Sequence, residues 1–169
     1  MNGTVGKSEK RVDAFDKVTG RARYTDDLCD RNALVAKVLH STIANGVVKA
    51  IDTSAAEKIQ GVVKIVTCFD VPEYKFPTAG HPWSTDPHHQ DVADRLLLTR
   101  RVRFYGDDVA AVVAENEIAA AEALRAIQVE YEEFPFVLDA EEAMKPGAPQ
   151  LHEDYPNNIL AHTSIYKGD

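Results

Sequence analysis

Four side chains of metal-ligating type fall within eleven positions of one another: His81, His88, His89 and Asp91. Neutral imidazoles and a carboxylate form a donor set for zinc or another divalent ion. The spacing argues against that use. His88 and His89 are adjacent, so in extended backbone they point opposite ways, and no two histidines stand four apart as a helical ligand pair would. They are read as exposed polar loop positions, and no metal ligand is assigned. A stand-alone module holding a metal or small ligand through His81, His88 and Asp91 stays open as the alternative. His40 and His152 are single and are read as hydrogen-bonded structural histidines.

Acid–base chemistry would need paired carboxylates, and Glu130, Glu132 and Glu133 are the nearest approach. Glu130 and Glu132 share one strand face with Tyr131 on the other, which is how a solvated face looks. Ser41-Thr42 has no partnered His or Asp in a recognisable motif, so nucleophilic catalysis has no support. Gly3, Gly6 and Gly20 do not make a phosphate loop. Cys29 and Cys68 form no C-x-x-C pair and are read as reduced, structural thiols. No catalytic or cofactor-binding residue is assigned. Trp83, the only tryptophan, stands between Pro82 and Ser84 and serves either as an anchor to its own core or as an interface residue.

The elements that must hold these residues follow from the apolar pattern. Residues 1–10 read as a flexible tail, and 17–20 as a turn between short extended pieces. Strands are expected at 33–39, 47–51, 62–67, 95–105, 108–114 and 127–131. A short helix is expected at 52–61, capped by Ser54 with Glu57 reaching back and closed by Gly61. A second helix follows Asn116, with Ile118, Ala121 and Leu124 near one face. A third spans 139–144, with Asp139 and Glu142 as a capping box and Pro146-Gly147 as its stop. Gly106-Asp107 should turn between two strands, and 159–166 is either a last strand or an outgoing connection. From Pro72 to Pro87 the chain holds four prolines and Trp83, the composition of a long ordered loop of the kind that carries contacts. Irregular alternation of strands and short helices predicts an α+β domain with a mixed sheet.

The totals exclude several classes. The chain has 169 residues, 44% hydrophobic and 27% charged, which suits one globular domain with a real core. No apolar run reaches the roughly 18 residues of a membrane span, and the polar N-terminus is not a secretory signal, so a cytoplasmic protein is expected. A net charge of −8 disfavours nucleic acid. The nearest basic patch, Arg95, Arg100, Arg101 and Arg103, is mixed with Leu and Val and reads as a strand edge or partner contact.

Three stretches, taken in order, carry a resemblance. The first has Arg11, Asp13, Lys17-Val18-Thr19-Gly20, Ala22 and Tyr24. The second runs from Ser41 to Gly46 and on through VVKAIDTSAAEKIQGVVKIVT. The third has Tyr105-Gly106, VAAVVAE, an Ala-rich helix and VEYEEFP. Together they resemble the α/β hammerhead domain that opens the molybdenum-binding subunit in the aldehyde oxidase and xanthine dehydrogenase family. PTAGHPWS at 77–84, followed by ADRLLLTRRVRFYGDDVAAVVA, is similar to the bacterial xanthine dehydrogenase branch. Aldehyde, carbon monoxide and nicotinate hydroxylases share the domain.

The resemblance implies a parent enzyme that hydroxylates hypoxanthine or xanthine at a molybdenum–molybdopterin centre, with water as the oxygen source. Electrons would leave through iron–sulfur clusters and FAD on partner subunits. The family's pterin-contacting residues and catalytic glutamate belong to later domains, so none is carried onto this chain. It would then be an N-terminal, structural part of the subunit, inactive alone. Residues 11–150 would form the hammerhead, and 151–169 would lead towards a molybdopterin-binding domain. By the same analogy the domain packs against the molybdopterin domains and the iron–sulfur component, with Trp83, His81 and Pro82 as possible subunit contacts.

Overall fold

The computed structural model describes residues 5–30, 32–77, 93, 95–159 and 164–169. It divides into two units, residues 1–33 and residues 34–169.

The first unit holds two single-turn helices, α1 (Ala14–Val18) and α2 (Thr25–Leu28). Asp13 starts α1 between two cations, Arg11 at 2.9 Å and Lys17 at 2.6 Å. Arg11 and then Lys17 hold its carboxyl below the usual range. The turn at 17–20 is present, with Gly20 at φ +70. It is flanked by helix rather than by extended pieces, because the Thr19 hydroxyl donates to the Phe15 carbonyl at 2.7 Å and prolongs the helical turn. At α2 the Asp27 carboxylate accepts from the Tyr24 N–H at 2.9 Å.

The second unit is α+β with short helices, as expected. Its strands form two antiparallel three-stranded sheets rather than one mixed sheet. The first sheet has the order β1 (Val35–His40), β5 (Asp108–Ala114), β3 (Val62–Thr67). The second has the order β4 (Arg101–Val102), β2 (Gly46–Asp52), β6 (Gln128–Glu133). β2 and β3 therefore belong to different sheets, although they are consecutive. Between them the helix expected at 52–61 shrinks to a 3-10 turn, Ala56–Lys58. Ser54 does not cap it. Its own N–H donates to Asp52 at 2.9 Å, and the Thr53 hydroxyl takes Glu57 at 2.7 Å, so the capping side chains are engaged elsewhere.

Helix α3 (Glu117–Ala126) begins where expected, with the Asn116 side chain accepting from the Ala119 N–H at 2.9 Å. The face it buries differs from the expected one. Ala119, Ala120 and Ala123 are buried, whereas Ile118 is exposed. The short residues face inward because α3 lies over β1, β5, β3 and the 3-10 turn at once. Gly61 shows how close this packing is. It sits at φ +91, and a Cβ there would come within 3.2 Å of the Ala119 Cβ.

Two cores result. One joins Ala56, Val112, Ala114, Ala119, Ala120, Ala123 and Ile127. The other joins Ile43, Val48, Val102 and Val109. Leu39, Ile51 and Val129 pack against both and make them continuous. Helix α4 (Ala140–Ala143) is capped by Asp139, which accepts from the Glu142 N–H at 2.9 Å. The return half of the capping box is missing, because the Glu142 carboxylate pairs with Lys145. Residues 164–169 have no regular structure, so no last strand appears among the described residues of 159–166.

Candidate functional site

The long strand expected at 95–105 does not form, and its failure creates the polar centre of the domain. Only Arg101–Val102 pair, against Val47 and Gly46. Arg95 instead bridges Phe76, with both N–H to carbonyl bonds made at 2.9 and 3.1 Å. The Thr99 N–H donates across to the Asp108 carbonyl at 2.7 Å. The chain then turns at Gly106, φ +106, and enters β5 in the other sheet. The predicted turn at Gly106-Asp107 exists, but it links two sheets and is not a hairpin.

Asp107 holds this crossing. Its buried carboxylate accepts from the Arg103 N–H at 2.7 Å and the Phe104 N–H at 3.4 Å, and Arg95 approaches to 3.7 Å. Burial pushes its carboxyl above the usual range, against the pull of those donors and cations. Ser41 completes the crossing. It is buried, its N–H donates to the Asp107 carbonyl at 2.7 Å, and its hydroxyl donates to the Phe104 carbonyl at 3.1 Å. A serine so bound is a structural staple, not a nucleophile.

The four arginines are tethers. Arg95 lies over the Phe104 ring at 4.7 Å, Arg100 over Phe69 at 5.4 Å and Arg101 over Phe134 at 5.3 Å. Arg100 also donates to the Val48 carbonyl at 3.1 Å. Arg101 donates to the Asn45 side chain at 2.6 Å and to the Gly46 carbonyl at 3.0 Å. Asn45 in turn donates to the Pro135 carbonyl at 2.6 Å. Arg103 donates to the Leu151 carbonyl at 2.9 Å. Burial and the neighbouring Arg103 lower the Arg101 guanidinium below its usual value.

A cleft of about 160 Å³ opens among Arg95, Thr99, Arg101, Arg103, Asp107 and His152. That is below the roughly 300 Å³ at which small-molecule pockets begin. Among the described residues no three His, Cys, Asp or Glu side chains gather as a metal site.

His81, Pro82, Trp83, His88, His89 and Asp91 lie outside the described residues. His40 is hydrogen-bonded as expected, its Nδ1 2.8 Å from Asp108. His152 meets Tyr155 edge to face at 6.2 Å. Glu130, Glu132 and Glu133 are exposed along β6, and Glu132 pairs with Lys49 at 3.0 Å, so the solvated-face reading holds. Cys29 is exposed, which removes it from any structural role in the core, and Cys68 is half-buried. Burial pushes the Cys68 thiol up to about 11. Sequence reasoning missed Asp107, Asn45 and Phe134. The available signal was Phe104 and the Gly106-Asp107 turn beside the arginine run; Phe69 and Phe134 stand far from it in sequence and gave none.

The family model of the aldehyde oxidase and xanthine dehydrogenase α/β hammerhead domain matches residues 19–135. The chain belongs to that family. It is 43% identical over 159 residues to the xanthine dehydrogenase molybdenum-binding subunit of Escherichia coli O157:H7, covering 94% of this chain and 21% of that subunit. It is 32% identical over 158 residues to the carbon monoxide dehydrogenase large chain of Afipia carboxidovorans, covering 92% of this chain and 18% of the relative. The aldehyde oxidoreductase of Desulfovibrio desulfuricans superposes with a TM-score of 0.73 at 32% identity, over 86% of this chain and 16% of that one. The chain thus spans about a fifth of the length of the curated relatives it matches.

Proposed function

We propose that this chain is the opening hammerhead domain of the molybdenum subunit of a hydroxylase of the xanthine dehydrogenase type. One observation carries the reading: identity to a xanthine dehydrogenase molybdenum-binding subunit is 43% along almost the whole chain, against 32% to a carbon monoxide dehydrogenase large chain. The parent enzyme hydroxylates hypoxanthine or xanthine at molybdenum–molybdopterin with water as oxygen source. Its iron–sulfur clusters and FAD reside on partner subunits, and the assembly is cytoplasmic. The domain contributes shape and contacts rather than reacting groups. The described polar side chains support this, because those that face inward hold backbone carbonyls and N–H groups of the domain itself.

Residues 11–150 form the hammerhead in this reading, and 151–169 lead to the molybdopterin-binding part. His81, Pro82 and Trp83 contact a partner subunit. Reading the gene past the codon for Asp169 tests the central claim. An open frame running several hundred codons into molybdopterin-binding sequence is expected, and a stop codon at that point overturns it. In the assembled enzyme, Trp83→Ala should weaken subunit association by more than about tenfold if Trp83 is an interface anchor. Unchanged assembly removes the loop from the interface.

A further inference from the structure

The tethering arginines have donors left over. A guanidinium carries five N–H groups in a fixed planar fork. Arg103 uses its Nε on the Leu151 carbonyl at 2.9 Å. Arg101 uses Nη1 on the Asn45 side chain and on the Gly46 and Val102 carbonyls. Among the described residues, Nη2 of Arg101 and both terminal nitrogens of Arg103 donate to no protein acceptor. No buried side-chain nitrogen among the described residues lacks a partner, so these groups are open to water rather than sealed in.

Both side chains line the cleft of about 160 Å³, and Arg95 is a third guanidinium there. After burial, the nearby Arg103 charge is what most lowers the Arg101 guanidinium, while Asp107 and Glu153 pull the other way with less effect. The carboxylates at the cleft are committed. Asp107 accepts from the Arg103 and Phe104 N–H groups, and Asp108 lies 2.8 Å from His40 Nδ1. Three arginines thus meet two aspartates, an excess of positive charge in a chain whose net charge is −8. Size selects what can answer it. At roughly 30 Å³ per water, the cleft holds about five heavy atoms, the number in a tetrahedral oxyanion and far fewer than in a nucleotide. A guanidinium fork matches two oxygens of such an anion.

We propose that this cleft binds a small tetrahedral oxyanion of the phosphate or sulfate class, held by Nη2 of Arg101 and the terminal nitrogens of Arg103. The bound anion neutralises two like charges where the chain crosses between its sheets, and so acts as a structural ion of the domain. The site lies within the second unit and does not depend on the parent reading. The test uses this chain with inorganic phosphate as the probe, at an ionic strength held constant with chloride. In NMR of isotope-labelled arginine side chains, the Arg101 and Arg103 Nε signals should shift saturably with one affinity, while those of Arg11 and Arg125 stay in place. By calorimetry, Arg103→Gln should weaken phosphate binding about tenfold or more, and Arg103→Lys, which keeps the charge without the fork, should weaken it less. Lys58→Gln, outside the cleft, should leave it unchanged. No saturable shift at Arg103, equal shifts at all arginines, or unchanged binding in Arg103→Gln overturns the site. A loss just as large in Lys58→Gln overturns it too, because it marks general charge attraction. Sulfate should compete with phosphate; acetate competing equally well would reassign the cleft to a carboxylate and overturn the tetrahedral reading. The shifts are read on the unsubstituted chain, so they decide the matter even if a variant fails to fold.

Discussion

The strands β1, β5 and β3 are covered by alanines, whereas β4, β2 and β6 are tied at their ends by arginine, asparagine and aspartate. In the first sheet the packing is set by what is small. Ala114, Ala119, Ala120 and Ala123 let a helix approach three strands closely, and nothing polar is asked to direct it. In the second, the core proper is four residues, Ile43, Val48, Val102 and Val109. That is little apolar surface for three strands, so Arg101, Asn45 and Asp107 fix the geometry through backbone carbonyls and N–H groups. Alanine packing gives close approach, and buried polar networks give a unique arrangement only when every group is satisfied. No buried side-chain nitrogen or oxygen among the described residues lacks a partner.

The largest effect expected from a single change falls on the second sheet. At Gly46 a Cβ would sit 2.3 Å from the Glu132 carbonyl oxygen and 2.6 Å from the Ile43 methyl. Neither β2 nor β6 can yield without losing its pairing, so Gly46→Ala should cost about 3 kcal/mol or more, beyond ordinary overpacking. Urea denaturation followed by both circular dichroism and Tyr fluorescence checks it. One shared transition would show that the two sheets unfold together through Leu39, Ile51 and Val129. Separate transitions would break the picture of a continuous core.

Next comes the alanine face. Ala120→Leu adds three carbons where the helix meets the sheet and should cost about 2 kcal/mol, within the range for overfilled cores. Ile118→Ala removes three carbons from an exposed position and should change stability by less than about 0.5 kcal/mol. Equal effects at the two positions would mean that the buried face of α3 is misassigned.

The smallest expected effect is one of pH, and its sign differs between the two regions. Asp70, beyond the end of β3, accepts from the Thr67 hydroxyl and N–H at 2.7 and 2.8 Å, which lowers its carboxyl below the usual range. Its stabilisation is present above the unfolded value near pH 4 and is lost as the pH falls through the folded one. Asp107 is raised by burial, so the folded state binds its proton more readily than the unfolded chain. Its contribution therefore improves as the pH falls from neutral through that raised value. Between pH 7 and 3, Asp70→Asn should flatten the acid loss of stability, and Asp107→Asn should make that loss begin sooner. Shifts of the same sign in both variants would contradict the assignment.

How far these regions could be read in advance differs for the same reason. β5, α3 with its Asn116 cap, β3 and the Gly61 turn followed from apolar runs and punctuation, which are local signals. The register of sheets was not local. Residues 95–105 have strand-like composition, yet Thr99 and Asp107 divert the backbone into contacts with Asp108 and Arg103 that only the folded chain supplies. The resemblance named the family from ordered short motifs. It did not show that Arg95, Arg100 and Arg101 would each lie on a phenylalanine, because those rings come from positions 104, 69 and 134.

The two thiols have a practical consequence. With Cys68 half-buried and its thiol pushed up to about 11, almost none of it is thiolate at neutral pH. Cys29 is exposed, one residue beyond α2. A maleimide fluorophore at pH 7 should therefore mark the chain once, on the first unit, without any engineered cysteine. The sequence thus carries a built-in reporter whose emission and anisotropy would follow the first unit separately from the second.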